Sequence, residues 1–262
     1  MSVNCSSAVN FQLKSTPIIK YLAEAIKTMS DNFTEIAMTT ANLDRYLVRT
    51  SIFEALKISS QNFAGNLLDI GCGKMPYREY LLRDSPIDSY TGLDIESAIE
   101  YDSSISADFT WDGVTMPFEN DSYGCAFGTE VLEHCPDPEC ILCEVHRVLK
   151  PGGVFFFTVP FLWNLHEVPH DEYRYTPFSL ERHLKNSGFK EIDIKALGGW
   201  HASMAQMLGL WVRRSPMTPR MRKILSYVLL PIVRKLITLD GKNKPSFVEG
   251  QMITGLYGIA RK

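Results

Sequence analysis

The segment Asn66-Leu67-Leu68-Asp69-Ile70-Gly71-Cys72-Gly73 constrains the fold more than any other in this 262-residue chain. An apolar run of this kind reads as a strand buried on both faces, as the strands of parallel sheets are. It closes on an acid and passes at once into Gly-x-Gly. Glycines belong there because the chain must turn sharply from strand to helix, and because a ligand can then approach bare backbone. Such a loop at the carboxyl end of a strand is a nucleotide-type pocket. A second run ends in Gly92-Leu93-Asp94, with Asp94 lying 21 residues after Gly73. An acid about 20 residues downstream is placed to hold a ribose diol through paired hydrogen bonds.

From residue 66 onward short apolar runs alternate with helical segments, the pattern of βαβ units on a parallel sheet. The spacing predicts strands over 66–70, 89–93, 125–128, 154–159, 191–196 and 251–260, with helices over 77–83, 138–149 and 177–187. Lys150-Pro151-Gly152-Gly153 is expected to stop the second of these helices and turn the chain into the next strand. Residues 1–65 show no strand alternation. Thr16-Pro17 reads as a helix start, followed by Ile18, Ile19, Leu22 and Ile26 at helical spacing, and 43–56 reads as a second amphipathic helix. Residues 198–250 read as two helices, 200–211 and 220–239, around a Ser215-Pro216-Met217-Thr218-Pro219 break. The expected organisation is an N-terminal helical extension (1–65), a sheet domain built from 66–197 plus 251–262, and a helical insertion (198–250). Within the insertion, Leu225, Val228, Leu229, Ile232, Val233 and Leu236 are expected to pack on the domain.

The formal net charge of −3 argues against a protein whose main partner is a nucleic-acid backbone, which needs a basic surface. That total conceals an asymmetry. Residues 213–244 hold nine basic residues against one acid, Asp240, so this stretch carries +8 and the rest of the chain −11. A basic amphipathic helix favours anionic membrane surfaces or a phosphorylated acceptor. Of six cysteines, Cys125, Cys135, Cys140 and Cys143 crowd together without a disulfide framework, which suits a reducing compartment. The start, MSVNCSSAVNFQLKST, has no apolar secretory core, and no apolar run approaches the roughly 20 residues of a membrane span. The expected location is the cytoplasm, with peripheral contact to the inner face of a membrane through 213–244.

Two features separate the ligands that a Gly-x-Gly loop can take. A dinucleotide fingerprint wants a third glycine where this chain has Pro76, and Asp69 beside the loop would repel a pyrophosphate. An adenosyl ligand bearing a sulfonium charge tolerates that acid, which favours S-adenosylmethionine over a nicotinamide dinucleotide. At this point the chain resembles a family, the class I S-adenosylmethionine-dependent methyltransferases of the type 11 group. The resemblance rests on LLDIGCGK (67–74), YTGLDI (90–95), ADFTWDGVTMPFENDSY (107–123), EVLEHCPDP (130–138), EVHRVLKPGGVFFFTVP (144–160) and LKNSGF (184–189). It implies an α/β fold, a Rossmann-like seven-stranded mostly parallel sheet with helices on both faces and an antiparallel last strand. It further implies that Gly71 and Gly73 lie against the amino-acid part of the cofactor. Asp94 and Ile95 would hold the ribose, Asp108 and Phe109 would border the adenine, and Asp69 would anchor the loop. Thr129 and the residues up to His134 would face the methyl group. Two departures stand out: Met75 where a third glycine is frequent, and Gly124 where an Asp is usual.

The run from Pro160 to Thr176 resembles the corresponding loop of methyltransferases from glycan and surface-polysaccharide pathways. It supplies His166, Asp171, Tyr173 and Arg174 as candidate acceptor-binding residues. His134 and His170 are the candidate general bases, because histidine with an ordinary pKa near 6.5 is largely neutral at cell pH. His166-Glu167-Val168-Pro169-His170 formally matches the zinc-protease motif, but that motif needs a helix and Pro169 opposes one. Cys135, Cys140, Cys143 and His146 have metal-like spacing, yet three of them fall on one helix among apolar residues, so no metal is expected. The expected activity is methyl transfer from S-adenosylmethionine, yielding S-adenosylhomocysteine, to a polar small-molecule or glycan acceptor, at a sugar hydroxyl. The alternatives are a lipid- or quinone-type acceptor, and a non-catalytic module that keeps the fold for binding.

Overall fold

The computed structural model describes residues 33–95, 106–241 and 245–262. The helix start at Thr16-Pro17 lies outside the described residues. The elements run α1 (Tyr46–Ser59), β1 (Gly65–Ile70), α2 (Arg78–Asp84), β2 (Ile87–Ile95), β3 (Phe109–Trp111), β4 (Tyr123–Thr129), α3 (Pro138–Val148), β5 (Leu149–Pro160), α4 (Pro177–Asn186), β6 (Lys190–Leu197), α5 (Trp200–Arg214), α6 (Pro219–Asp240) and β7 (Gly255–Arg261). The strands form one sheet in the order β3-β2-β1-β4-β5-β7-β6. β1 to β5 pair in parallel, and β7 runs antiparallel between β5 and β6. This is the expected Rossmann-like sheet.

Strand alternation divides the core into two layers. Leu68, Ile70, Ala126, Phe155 and Phe157 face α3 and α4 through Leu142, Val145, Leu180 and Leu184. Leu67, Cys125, Phe127, Val154 and Phe156 face α1 and α2 through Ile52, Leu56 and Leu81. Local signals place the α3 and α4 starts: the Asp137 carboxylate accepts from the Cys140 amide at 3.1 Å and Thr176 forms a capping box with Ser179. Each is followed by a proline at the first helical position.

The structure departs from the expected elements in two places. β3 was not expected, because three residues are too short to display a period-2 pattern. Lys150-Pro151-Gly152-Gly153 is not a separate turn; α3 passes straight into β5, and the ladder shifts register between Tyr123 and Cys125. The Gly124 departure has a steric cause: a Cβ there would stand 2.1 Å from the Ala64 carbonyl oxygen, so no side chain fits.

α5 and α6 form an antiparallel hairpin between β6 and β7, with its own small core of Leu43, Ala205, Val212, Leu229 and Val233. Asp44 ties it down, accepting from Arg214 Nε at 2.7 Å, while its carbonyl accepts from Gln206 Nε2 at 2.7 Å. Asp240, at the far end of α6, accepts from the Gly199 and Ala202 amides at 2.8 and 3.0 Å and so caps α5. The lone acid of the basic stretch is therefore internal. Of the six apolar residues expected to pack, Leu229 and Val233 are buried and Leu225 and Leu236 half-buried, whereas Val228 is 55% and Ile232 45% exposed. α6 is apolar on two sides, and one side needs no partner within the hairpin. Among the described residues no helix is long and apolar enough to cross a membrane.

Candidate active site

The sheet reverses its winding between β1 and β4, and in open α/β sheets the crevice at such a switch point, outside the carboxyl ends of the strands, is where ligands bind. The loops leaving these two strands touch: a Cβ on Gly71 would lie 2.7 Å from a Val131 methyl. Gly71 and Gly73 both hold positive φ, 64° and 48°, which frees the loop to present backbone rather than side chain. Asp94, at the end of β2, accepts from the Gly73 amide at 2.9 Å through one oxygen and from the Ile95 amide at 2.9 Å through the other. It thereby ties the glycine loop to the neighbouring strand.

Asp69 is buried and accepts a hydrogen bond from the Tyr90 hydroxyl. Burial drives its carboxyl well above the usual range, against the lowering effect of that bond. Asp108 accepts from the Gly92 amide at 2.8 Å and lies 3.3 Å from the Arg78 guanidinium, so it fastens the start of β3 onto β2. Phe109 and Ile95 are exposed at the same end of the sheet. Cys72 is buried and burial raises its thiol, which suits packing and not nucleophilic attack. Bare backbone at two left-handed glycines, three nearby acids and an exposed apolar flank fit a ligand with an adenosine, an amino-acid tail and a sulfonium charge.

Across the switch point, β4 ends at Thr129 and Glu130 follows it. Glu130 has φ 57°; its amide donates to the Thr158 carbonyl at 3.1 Å, and the Thr158 hydroxyl donates to its carboxylate at 2.9 Å. It lines a small hollow with Val48, Ser51, Leu162, Trp163 and Thr254. A short 3-10 turn, Leu132–His134, follows. Glu133 is 0% exposed, and neither carboxylate oxygen has a hydrogen-bond partner. Burial raises the carboxyls of both Glu130 and Glu133 well above their ordinary values.

The loop after β5 folds over this turn. His134 Nδ1 lies 2.9 Å from the His170 carbonyl, which can only accept, so Nδ1 carries the proton and Nε2 presents a lone pair when the ring is neutral. His166 comes from the same loop, its ring 4.7 Å from that of His134 and its Nδ1 3.3 Å from Asp171 Oδ2. Arg174 clamps Asp171 through two bonds of 2.6 and 2.9 Å and holds its carboxyl down at about 2.

The expected acceptor residues are thus placed unequally. His134 and His166 converge. The His170 ring is exposed and its backbone does the contacting; Tyr173 donates to the Pro136 carbonyl at 3.1 Å; Asp171 and Arg174 engage each other. Residues 166–170 are not helical, and Cys135, Cys140, Cys143 and His146 do not come together as a metal group among the described residues. The sequence placed Thr129 to His134 at the methyl group without singling out Glu130 and Glu133, whose signal was two acids three residues apart after a strand, beside a histidine.

Comparison with known proteins accords with this geometry. Residues 68–157 match the family model of a methyltransferase domain, Methyltransf_11. The chain is 28% identical over 144 residues to malonyl-[acyl-carrier protein] O-methyltransferase of Alcanivorax borkumensis, covering 52% of this chain and 47% of that protein. It is 32% identical over 114 residues to ubiquinone biosynthesis O-methyltransferase of Pseudomonas syringae pv. tomato, covering 37% and 45%. The chain therefore spans less than half the length of these curated relatives. A SAM-dependent methyltransferase from Archaeoglobus fulgidus shares the fold, with a TM-score of 0.51 at 16% identity, over 82% of this chain and 94% of that one. Residues 68–157 thus match a methyltransferase domain, on a fold shared with an S-adenosylmethionine-dependent methyltransferase.

Proposed function

We propose that the chain moves a methyl group onto a hydroxyl of a polar head carried by a lipid or similarly amphiphilic acceptor. The observation that carries the chemistry is the half-buried carboxylate of Glu130, which lines a hollow and precedes Val131, the residue that packs against Gly71 of the glycine loop. When bound, S-adenosylmethionine supplies a sulfonium methyl whose C–S bond breaks as the acceptor oxygen takes the carbon, the electron pair staying on sulfur. Asp94 would hold the ribose and the two glycines the amino-acid end of the cofactor, while the hollow beside Glu130 would align the acceptor. Alignment contributes most of the acceleration in such a displacement. Glu130 takes the hydroxyl proton, and a carboxyl raised by burial is a better acceptor for it than an ordinary one. The base is thus assigned to Glu130 in place of His134 or His170. Glu130→Gln is expected to lower kcat by about 100-fold while leaving S-adenosylhomocysteine affinity within about twofold, read by single-turnover kinetics and calorimetry. An unchanged kcat would remove Glu130 from the reaction.

The amphiphilic acceptor rests on the hairpin. α5 exposes Trp200, Met204, Met207 and Trp211 at spacings of one helix face, and α6 exposes Met221, Ile224, Tyr227, Val228 and Ile232. Arg220, Lys223, Arg234 and Lys235 are exposed on the same helix, while Arg222 turns inward to the Arg213 and Ser215 carbonyls. Apolar stripes beside exposed cations suit an anionic bilayer surface. The relatives' names point the same way, one acting in ubiquinone biosynthesis and one on a malonyl-acyl carrier. Co-sedimentation with vesicles containing phosphatidylglycerol is expected, with neutral vesicles and high salt weakening it. Trp211→Glu should weaken vesicle binding by about tenfold. Self-association through this face, with no vesicle binding, would sink the membrane reading and leave methyl transfer standing. Cofactor binding without turnover on any hydroxylated lipid would favour the non-catalytic alternative.

A further inference from the structure

We propose that Glu133, His134 and His166 form a site for a divalent transition-metal cation. One donor atom from each residue lies within 4.8 Å of the others, although they come from two loops 32 residues apart in sequence.

The first reason is the isolation of Glu133. Its carboxylate is fully buried with both oxygens unpartnered, and the Arg174 guanidinium of the facing loop is committed to Asp171 by a two-pronged clamp. A buried carboxyl left without a partner either stays protonated or takes up a cation. The second reason is the orientation of His134. Because Nδ1–H donates to the His170 carbonyl, the Nε2 lone pair points at carboxylate oxygens, 3.7 Å from Glu133 and 3.6 Å from Glu167. Lone pair facing lone pair at these distances is not a hydrogen bond, and it is the arrangement a cation between them resolves. The third reason lies behind the ligands. The His166 amide donates to Asp171, itself fixed by Arg174, at 3.1 Å, and the His166 Nδ1 atom is buried without a hydrogen-bond partner, so the imidazole is held in place with a nitrogen still unsatisfied. Ligand–metal bonds of about 2.0–2.2 Å bring donor atoms somewhat nearer together than 4.8 Å, within reach of small side-chain rotations.

Two imidazole nitrogens and one carboxylate favour zinc, manganese or iron(II) over calcium, and three protein ligands leave coordination positions open. The site shares only His166 with the His166–His170 sequence motif, since His170 contributes its carbonyl and His134 replaces it as the second imidazole. Resting on the methyl-transfer reading, the open positions would hold the acceptor hydroxyl and lower its pKa next to Glu130.

The test uses the full chain, dialysed against EDTA and then titrated calorimetrically with zinc or manganese chloride, with elemental analysis of the loaded protein. One ion per chain is expected, together with a raised melting temperature. His166→Ala and Glu133→Gln should each weaken metal affinity by about 100-fold, with S-adenosylhomocysteine binding retained as the measure of an intact fold. Should Glu133→Gln fail to fold, His166→Ala alone decides. Substoichiometric binding, or binding unaffected by the variants, overturns the site. Failure of the wild-type chain to bind S-adenosylhomocysteine would instead count against the methyltransferase reading, whatever the metal result.

Discussion

Asp94→Ala is expected to lower S-adenosylhomocysteine affinity by about 100-fold or more, measured by calorimetry. Two contributions combine. The carboxylate is placed to hold a ribose diol, and each charge-assisted hydrogen bond lost contributes about 1.5–3 kcal/mol. The same oxygens also accept from the Gly73 and Ile95 amides, so their removal frees the glycine loop that the ligand must find already formed. Asp94→Asn keeps one acceptor oxygen and is expected to lose less. If alanine at this position leaves binding intact, the cleft is not the cofactor site. Folding stability should fall only modestly, since Asp94 is half-buried and water can replace it at the two amides.

Gly209→Ala should do the reverse, leaving the cleft chemistry alone and costing the fold about 2–4 kcal/mol. In the interior of an exposed helix the substitution would stabilise by about 1 kcal/mol. Here a Cβ would lie 2.1 Å from the Leu43 carbonyl oxygen and 2.7 Å from its carbon, both rigid backbone. α5 must move away, and the bonds from Gln206 and Arg214 to Asp44 go with it. At about 2–4 °C for each kcal/mol in a chain of this size, the melting temperature should drop by roughly 5–15 °C. A stabilised variant would show that α5 does not rest on residues 43 and 44.

These two positions differ in how they could be known beforehand. Asp94 was legible because its role is set by its distance from Gly73 and by the strand that carries it, both of which are local patterns. Gly209 offered no signal: it reads as a weak point in an amphipathic helix, and its need for bareness comes from a segment about 165 residues earlier. Asp240 was counted as the one acid in a basic stretch, and only its bonds to the Gly199 and Ala202 amides make it the cap of the preceding helix. Val228 and Ile232 were assigned to packing because apolar periodicity records that a face is apolar, not what covers it. The acceptor loop was read for residue types, and its Asp171 and Arg174 engage each other.

Order and identity of the sheet elements, the glycine loop and the acid that serves it follow from short-range rules: period, turn chemistry and a fixed offset along the chain. Those rules act within one or two elements, so they hold before anything packs. The convergence of Glu133, His134 and His166, the burial that lifts Glu130, and the exposed face of the hairpin depend on which loops the sheet order brings together. Burial, electrostatic environment and mutual distance belong to pairs of residues far apart in sequence, and only the packed chain assigns them values.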